Sequence, residues 1–196
     1  MPDEARINLS KASILAIETS QHAVDTLAQI CKGFEAREVH RCLTIAEAET
    51  ALRLRQVNLI LINPSIEADA GFDFIRALRS SGAEPLCSVP IIVFCGHATP
   101  GDVARCRNTG ANFVVAKPIS SGALLQRIEW VARDQRQFVD TGDYVGPDRR
   151  FKFEGPPPGM AGRREGDKLV PLGDAQEPNL SQNDIDAFLK PQKVMH

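Results

Sequence analysis

The run Asn58-Leu59-Ile60-Leu61-Ile62-Asn63-Pro64 constrains this chain more than any other stretch. Four consecutive apolar residues, two of them β-branched, lie between turn-forming residues and describe a short strand buried on both faces. Strands of that kind belong to parallel sheets covered by helices, and such folds carry their chemistry at the strands' C-terminal ends. At this end stands Asn63, a neutral amide.

Segments of the same character recur around it. Ser13–Ile17 is a short apolar strand, followed by a helix that Ser20 caps, with Val24, Leu27, Ala28 and Cys31 inward and Gly33 as its stop. A weaker strand is expected within Ala36–Leu43. Thr44-Ile45-Ala46-Glu47 has the form of a capping box and opens a helix through Leu52 and Leu54. Gly71–Arg79 reads as an amphipathic helix, and Pro90–Cys95 as a strand with proline where a strand tolerates it. A short helix over about 100–109 stops at Gly110, Phe113–Ala116 is a fifth strand, and Ser121–Gln137 is the last helix. Five βα units with short loops imply an α/β, flavodoxin-like, doubly wound parallel sheet of order 2-1-3-4-5. Its switch point gathers Glu18, Thr19 and Asn63 at one edge.

Composition divides the chain near residue 138. Seven of the 13 prolines and seven of the 14 glycines fall in the last 58 residues, too many for a conventional core. The expected organisation is a lead over 1–11, a globular unit over 12–138, an irregular Pro/Gly-rich tail over 139–179, a short helix over 180–190 and a terminus over 191–196. A net charge of −2 gives no reason to expect nucleic-acid binding. The sequence has no apolar run long enough for a membrane span, and Met1–Lys11 lacks the apolar centre of a secretory signal. Five cysteines without a C-x-x-C spacing, mostly among apolar neighbours, fit a reducing cytoplasm.

Residues 12–134 resemble a response-regulator receiver domain of the CheY type, from two-component signalling. The resemblance rests on Ile14-Leu15-Ala16-Ile17, on Leu59-Ile60-Leu61-Ile62 before the phospho-acceptor position, and on Gly71 eight residues beyond it. Pro90-Ile91-Ile92-Val93, Gly110-Ala111 and Lys117-Pro118 follow in order. The family carries an acidic pair, an acceptor aspartate, a Ser/Thr and a lysine. The corresponding residues here are Glu18 and Thr19, Asn63, Cys95 and Lys117, and Val114 stands where an aromatic switch residue is expected.

The resemblance therefore implies a degenerate receiver. Phosphoryl transfer needs an anionic oxygen nucleophile, which an amide lacks. Magnesium needs hard oxygen donors, and one of three expected carboxylates is left, so no cofactor is expected and magnesium binding is weak or absent. Spontaneous deamidation of Asn63 needs the next residue's N–H, and Pro64 has none. Two readings stand for Lys117: a hydrogen bond to Asn63 that holds one state, or a solvated lysine with Lys117-Pro118 kept as a turn.

Other candidates weigh less. Cys95-Gly96-His97 offers a nucleophile and a base but no orienting third group. His22, His40, His97 and His196 have no metal-ligand spacing. Arg105/Arg107 and Arg133/Arg136 read as solvated helix faces.

In the tail, Tyr144-Val145-Gly146-Pro147-Asp148-Arg149-Arg150 combines an aromatic anchor, Tyr144, with the paired Arg149 and Arg150, to dock on its own domain or to recruit a partner. Pro156-Pro157-Pro158 reads as an extended spacer. At 180–190, Ser181 is an N-cap, Leu180 and Ile185 form a hydrophobic staple, and Ile185, Phe188 and Leu189 share an apolar face. This segment resembles the Leu-Ser-Gln-x-x-Ile-Asp-x-Leu peptide of the flagellar switch protein family FliM, which binds CheY-type receivers. The resemblance implies a protein partner, either such a receiver or this chain's own receiver-like domain.

The sequence thus reads as a non-enzymatic, non-phosphorylatable adaptor in two-component signalling, with motility or chemotaxis suggested by the 180–190 segment. A receiver phosphorylated at another residue, such as Glu18 or Glu67, is the alternative. A transcriptional regulator ranks last, because no helix-turn-helix follows position 138.

Overall fold

Side-chain caps set the helix starts in the computed structural model, which describes residues 9–148 apart from His97 and Gln135. Ser20, Thr44, Thr99 and Ser120 each accept a backbone N–H three residues on, opening α1 (Gln21–Gly33), α2 (Ile45–Leu54), α4 (Pro100–Asn108) and α5 (Ser121–Ala132). The Thr44 box closes on one side only: Thr44 accepts the N–H of Glu47 as expected, but the Glu47 carboxylate accepts the N–H of Leu43, one residue before the cap. Helix α3 (Ala70–Ser80) has no such cap and starts from a tight loop.

The strands are β1 (Ser13–Ile17), β2 (Glu38–Cys42), β3 (Leu59–Ile62), β4 (Ile91–Cys95) and β5 (Phe113–Ala116). All pairings among them are parallel, in the order β2-β1-β3-β4-β5. Alternate residues divide between two cores, as the period of a pleated strand requires. Leu15, Ile17, Ile60, Ile62, Val93 and Val114 pack with α2, α3 and α4, through Leu52, Ile75 and Val103 among others. Ile14, Leu59, Leu61, Ile92, Phe94 and Val115 pack with α1 and α5 through Leu27, Cys31, Leu124 and Ile128. The doubly wound architecture expected from the apolar runs is the one observed.

Gly33 closes α1 as expected, with Glu35 left-handed beyond it at φ 63°. Two local expectations are corrected. Helix α5 ends at Ala132 rather than running to Gln137. There the Asp134 carboxylate accepts the backbone N–H of Arg136, a local turn that competes with another helical turn. Residues 139–147, expected to begin an irregular tail, instead join Phe138 in an antiparallel hairpin of β6 (Phe138–Asp140) and β7 (Val145–Pro147).

The hairpin packs on the domain. Gly110 sits at φ +91°, and a Cβ there would lie 2.5 Å from the carbonyl of Val145 and 2.9 Å from Arg79 Cγ. Only glycine admits that approach. Beneath it Arg79 is 2% exposed and donates to the carbonyls of Gly110, Cys87 and Val89 and to Asn112 Oδ1, with the Phe138 ring 4.9 Å from its guanidinium. One buried cation, satisfied by neutral acceptors, ties together α3, the Leu86–Ser88 turn, the start of β5 and the hairpin.

Candidate functional site

The ladder of the sheet carries three residues to one edge. The N–H of Glu18 donates to Cys42 O, that of Asn63 to Ile17 O and that of Lys117 to Cys95 O, each one step beyond its strand. Their side chains converge there, with Glu18 1% and Asn63 8% exposed.

Glu18 is the hub. Its Oε1 accepts from Lys117 Nζ at 2.5 Å. Its Oε2 accepts from Asn63 Nδ2 at 3.1 Å and from the Thr19 N–H at 3.2 Å. Asn63 Oδ1 faces the other way and accepts the N–H of Ser65 at 3.1 Å, which fixes the orientation of the amide. Lys117 was expected to meet Asn63 or solvent. It pairs with Glu18 instead, because an ammonium gains more from a buried carboxylate than from an amide oxygen. Asn63 is joined to Lys117 only through that shared carboxylate. Thr19 contributes its backbone, and its own position is exposed.

Past Asn63 the chain turns hard. Pro64 is buried against Gly71, where a Cβ would stand 2.7 Å from Pro64 Cα. Glu67, Ala68 and Asp69 all adopt left-handed backbone, at φ 46°, 53° and 73°. Such residues are strained and persist only where neighbours fix them. Glu67 Oε2 accepts the N–H of Ile45 at 3.1 Å, and Asp69 pairs with Arg105 at 2.7 Å. Glu67, the alternative acceptor, thus sits at the start of α2. The Arg105 guanidinium also lies 3.8 Å from the Phe72 ring centre, so Arg105 links α4 to α3 while staying on the exposed face expected of it. Arg136 departs from the expected solvated face: it pairs with Asp134, donates to Asn112 O and lies over Trp130.

Cys95, at the Ser/Thr position, is buried, with its Sγ 3.5 Å from Cys106 Sγ of α4. Val114 is fully buried in β5. Tyr144, the tail anchor, is 7% exposed within the hairpin and donates to Pro147 O at 2.8 Å. Arg149, Arg150 and the interaction-helix residues Leu180, Ile185, Phe188 and Leu189 lie outside the described residues, as does His97. Among the described residues no cluster of three His, Cys, Asp or Glu could hold a metal ion, and no helix is long and apolar enough to cross a membrane.

The sequence reading missed Arg79, Asn112 and Cys106. Arg79 carried a signal: with Phe72 and Ile75 it lies on the i, i+3, i+7 stripe of α3, where an arginine must find buried acceptors.

Comparison with known proteins places these observations in a family. Residues 14–129 match the response regulator receiver domain. Histidine kinase 1 of Arabidopsis thaliana is 27% identical over 137 residues, 63% of this chain and 11% of that protein. The sensory/regulatory protein RpfC of Xanthomonas campestris pv. campestris is 23% identical over 141 residues, 70% of this chain and 19% of that one. This chain therefore spans less than a fifth of the length of either relative. Among solved structures, the Vibrio cholerae chemotaxis protein CheY4 superposes with a TM-score of 0.56 at 20% identity, over 61% of this chain and 98% of that one. The signal receiver domain of a signal transduction histidine kinase from Syntrophus aciditrophicus gives 0.55 at 21%, over 67% and 98%. With the family match covering more than half of its length and the β2-β1-β3-β4-β5 sheet beneath it, this chain belongs to the response regulator receiver domain family of two-component signalling.

Proposed function

We propose that this chain is a pseudo-receiver: a protein-interaction adaptor that presents one fixed receiver surface and takes no phosphate at Asn63. The observation that carries the reading is the closed Lys117–Glu18–Asn63 network. Asn63 offers no anionic nucleophile, and its carbonyl is engaged by Ser65. Lys117 is held by Glu18, a partner that does not depend on any signal.

The same donor set does not fit magnesium. Of the edge residues only Glu18 supplies a carboxylate, both of its oxygens already accept protein donors, and the ammonium of Lys117 stands where a cation would be repelled. Five free, buried cysteines support a reducing compartment such as the cytoplasm.

The partner is another signalling protein, in keeping with the sensory and kinase names of the relatives. The 180–190 segment supplies the contact by laying Ile185, Phe188 and Leu189 into a receiver groove, in trans or on its own domain, so that the adaptor works by occupancy and competition.

Incubation of the full chain with a small acyl-phosphate donor and Mg²⁺, read by intact mass, tests the reading. No added phosphate is expected, and a stoichiometric adduct on Glu18, Glu67 or any other residue overturns it. A labelled 178–193 peptide titrated against phosphorylated and unphosphorylated CheY-type receivers, and against the full chain carrying Phe188→Ala, tests the contact. Binding to none of them removes the interaction role of the segment.

A further inference from the structure

Cys95 ends β4 and Cys106 lies on α4, yet their sulfur atoms are 3.5 Å apart. A disulfide needs about 2.0 Å between sulfurs, so the two thiols are in contact before any bond forms. The other three cysteines are held differently. Cys31 and Cys42 sit in separate parts of the core, and Cys87 donates to Glu84.

We propose that Cys95 and Cys106 form an oxidative modification site, a dithiol converted by hydroperoxides into an intramolecular disulfide that fastens α4 to the end of β4. The claim is independent of the adaptor reading.

The two members of the pair have distinct roles. With the Cys106 thiol as donor in the sulfur–sulfur contact, the hydrogen bond favours the Cys95 thiolate; burial and then the Asp102 carboxylate oppose it, the Lys117 ammonium adds a smaller push in its favour, and the net shift is downward. The same contact with Cys95, with burial behind it, pushes the Cys106 thiol up. Burial also raises Cys31 and Cys42 to about 11. Cys87 is raised by burial and then by the Glu84 carboxylate. Cys95 alone among the five has a lowered pKa, and thiolate is the reactive form. It is also at the sheet edge, where the exposed Gly96 follows it, whereas Cys106 is fully buried.

The chemistry balances with the peroxide as the sole oxidant. Cys95 thiolate attacks one peroxide oxygen, an S–O bond forms, the O–O bond breaks, and hydroxide leaves and takes up a proton. The Cys106 sulfur then attacks the sulfenic sulfur of Cys95, the S–S bond forms, the S–O bond breaks, and water leaves with the Cys106 proton. Two thiols and one hydrogen peroxide give one disulfide and two waters, and an organic hydroperoxide gives its alcohol in place of the first water.

The test uses the full chain, folded and reduced, and hydrogen peroxide at a dose that fully oxidises glutathione in the same tube. Free thiols are alkylated in denaturant and the protein is mapped by peptide mass. The expected product is a Cys95–Cys106 crosslink within one chain, reversed by dithiothreitol, with Cys31, Cys42 and Cys87 alkylated. In a Cys106→Ser variant, a sulfenic-acid trap such as dimedone labels Cys95. Five alkylated thiols at that dose, or crosslinks between other cysteines or between chains, overturn the proposal. The wild-type measurement decides the matter even where a variant folds poorly.

Discussion

Lys117 Nζ and Glu18 Oε1 are 2.5 Å apart, yet Glu18 is 1% exposed and Lys117 29%. The carboxylate is therefore the buried partner and the ammonium its link to solvent. Removing one member of such a pair costs more than the pair itself contributes, because a charge is left buried without compensation. Asn63 and Thr19 would still donate to Glu18, but neither supplies a countercharge.

Lys117→Met is expected to lower unfolding free energy by about 3 kcal/mol, at the lower end for a broken buried pair because Lys117 is part exposed. Adding Glu18→Gln to it recovers most of that loss. Urea denaturation of the two single variants and the double variant closes the cycle. An unchanged midpoint for Lys117→Met would mean that Lys117 contributes nothing to holding Glu18.

Asn63→Asp asks what the amide does. Its Nδ2 donates to Glu18 at 3.1 Å, so an aspartate there sets two carboxylates against each other with one lysine between them. Like charges at that range disfavour one another, and a divalent cation relieves them. The variant is expected to be less stable than the parent by about 1–2 kcal/mol without divalent ions, and to regain its melting temperature in millimolar Mg²⁺, to which the parent is indifferent. Thermal melts with and without Mg²⁺ measure this, and equal responses from both proteins refute it.

Much of this edge was legible from residue types alone. The apolar runs and their caps determine the order of strands, and strand order places Glu18, Asn63 and Lys117 together. Which of the three would pair was not legible, since Lys117 has a choice of partners that only distance and burial decide. Arg79 illustrates a second limit. Its stripe position could be read, but its acceptors are main-chain carbonyls at Cys87, Val89 and Gly110, which no residue type announces. The hairpin was hidden for a third reason: Gly142, Gly146 and Pro147 look like tail composition, whereas Gly146 is small because it lies on Gly110. Composition does not separate a glycine that loosens a chain from one that lets two backbones touch.

The buried thiols give the fold a pH limit on the alkaline side. Burial raises Cys31 from 9.0 to about 11, and burial with Glu47 nearby does the same for Cys42. A thiol raised in the folded state keeps its proton after the unfolded chain has lost one. Its contribution to stability is complete below pH 9 and is lost as the pH climbs to about 11, by about 3 kcal/mol per thiol. Urea midpoints measured from pH 8 to 11 in reductant should fall across that window. Cys31→Ala and Cys42→Ala should each flatten the fall, and a slope unchanged in both variants would assign it to other groups.

The docking of the hairpin rests on contacts too close for any side chain. At Gly110 a Cβ would meet Val145 O at 2.5 Å, and the positive φ there adds strain for any other residue. Gly110→Ala must therefore push β7 off Arg79 or distort the start of β5, and a loss of about 2–4 kcal/mol is expected. Tyr144→Phe is milder, because it removes the hydroxyl that donates to Pro147 O and leaves the ring in place; about 1 kcal/mol is expected. The two effects differ in kind as well as size. If the hairpin is part of the cooperative domain, both variants unfold in one transition shifted to lower urea, and amide exchange at 138–147 in the parent is as slow as in β5. Fast exchange there in the parent, with Gly110→Ala leaving the midpoint unchanged, would show the hairpin to be an appendage that the domain does not need.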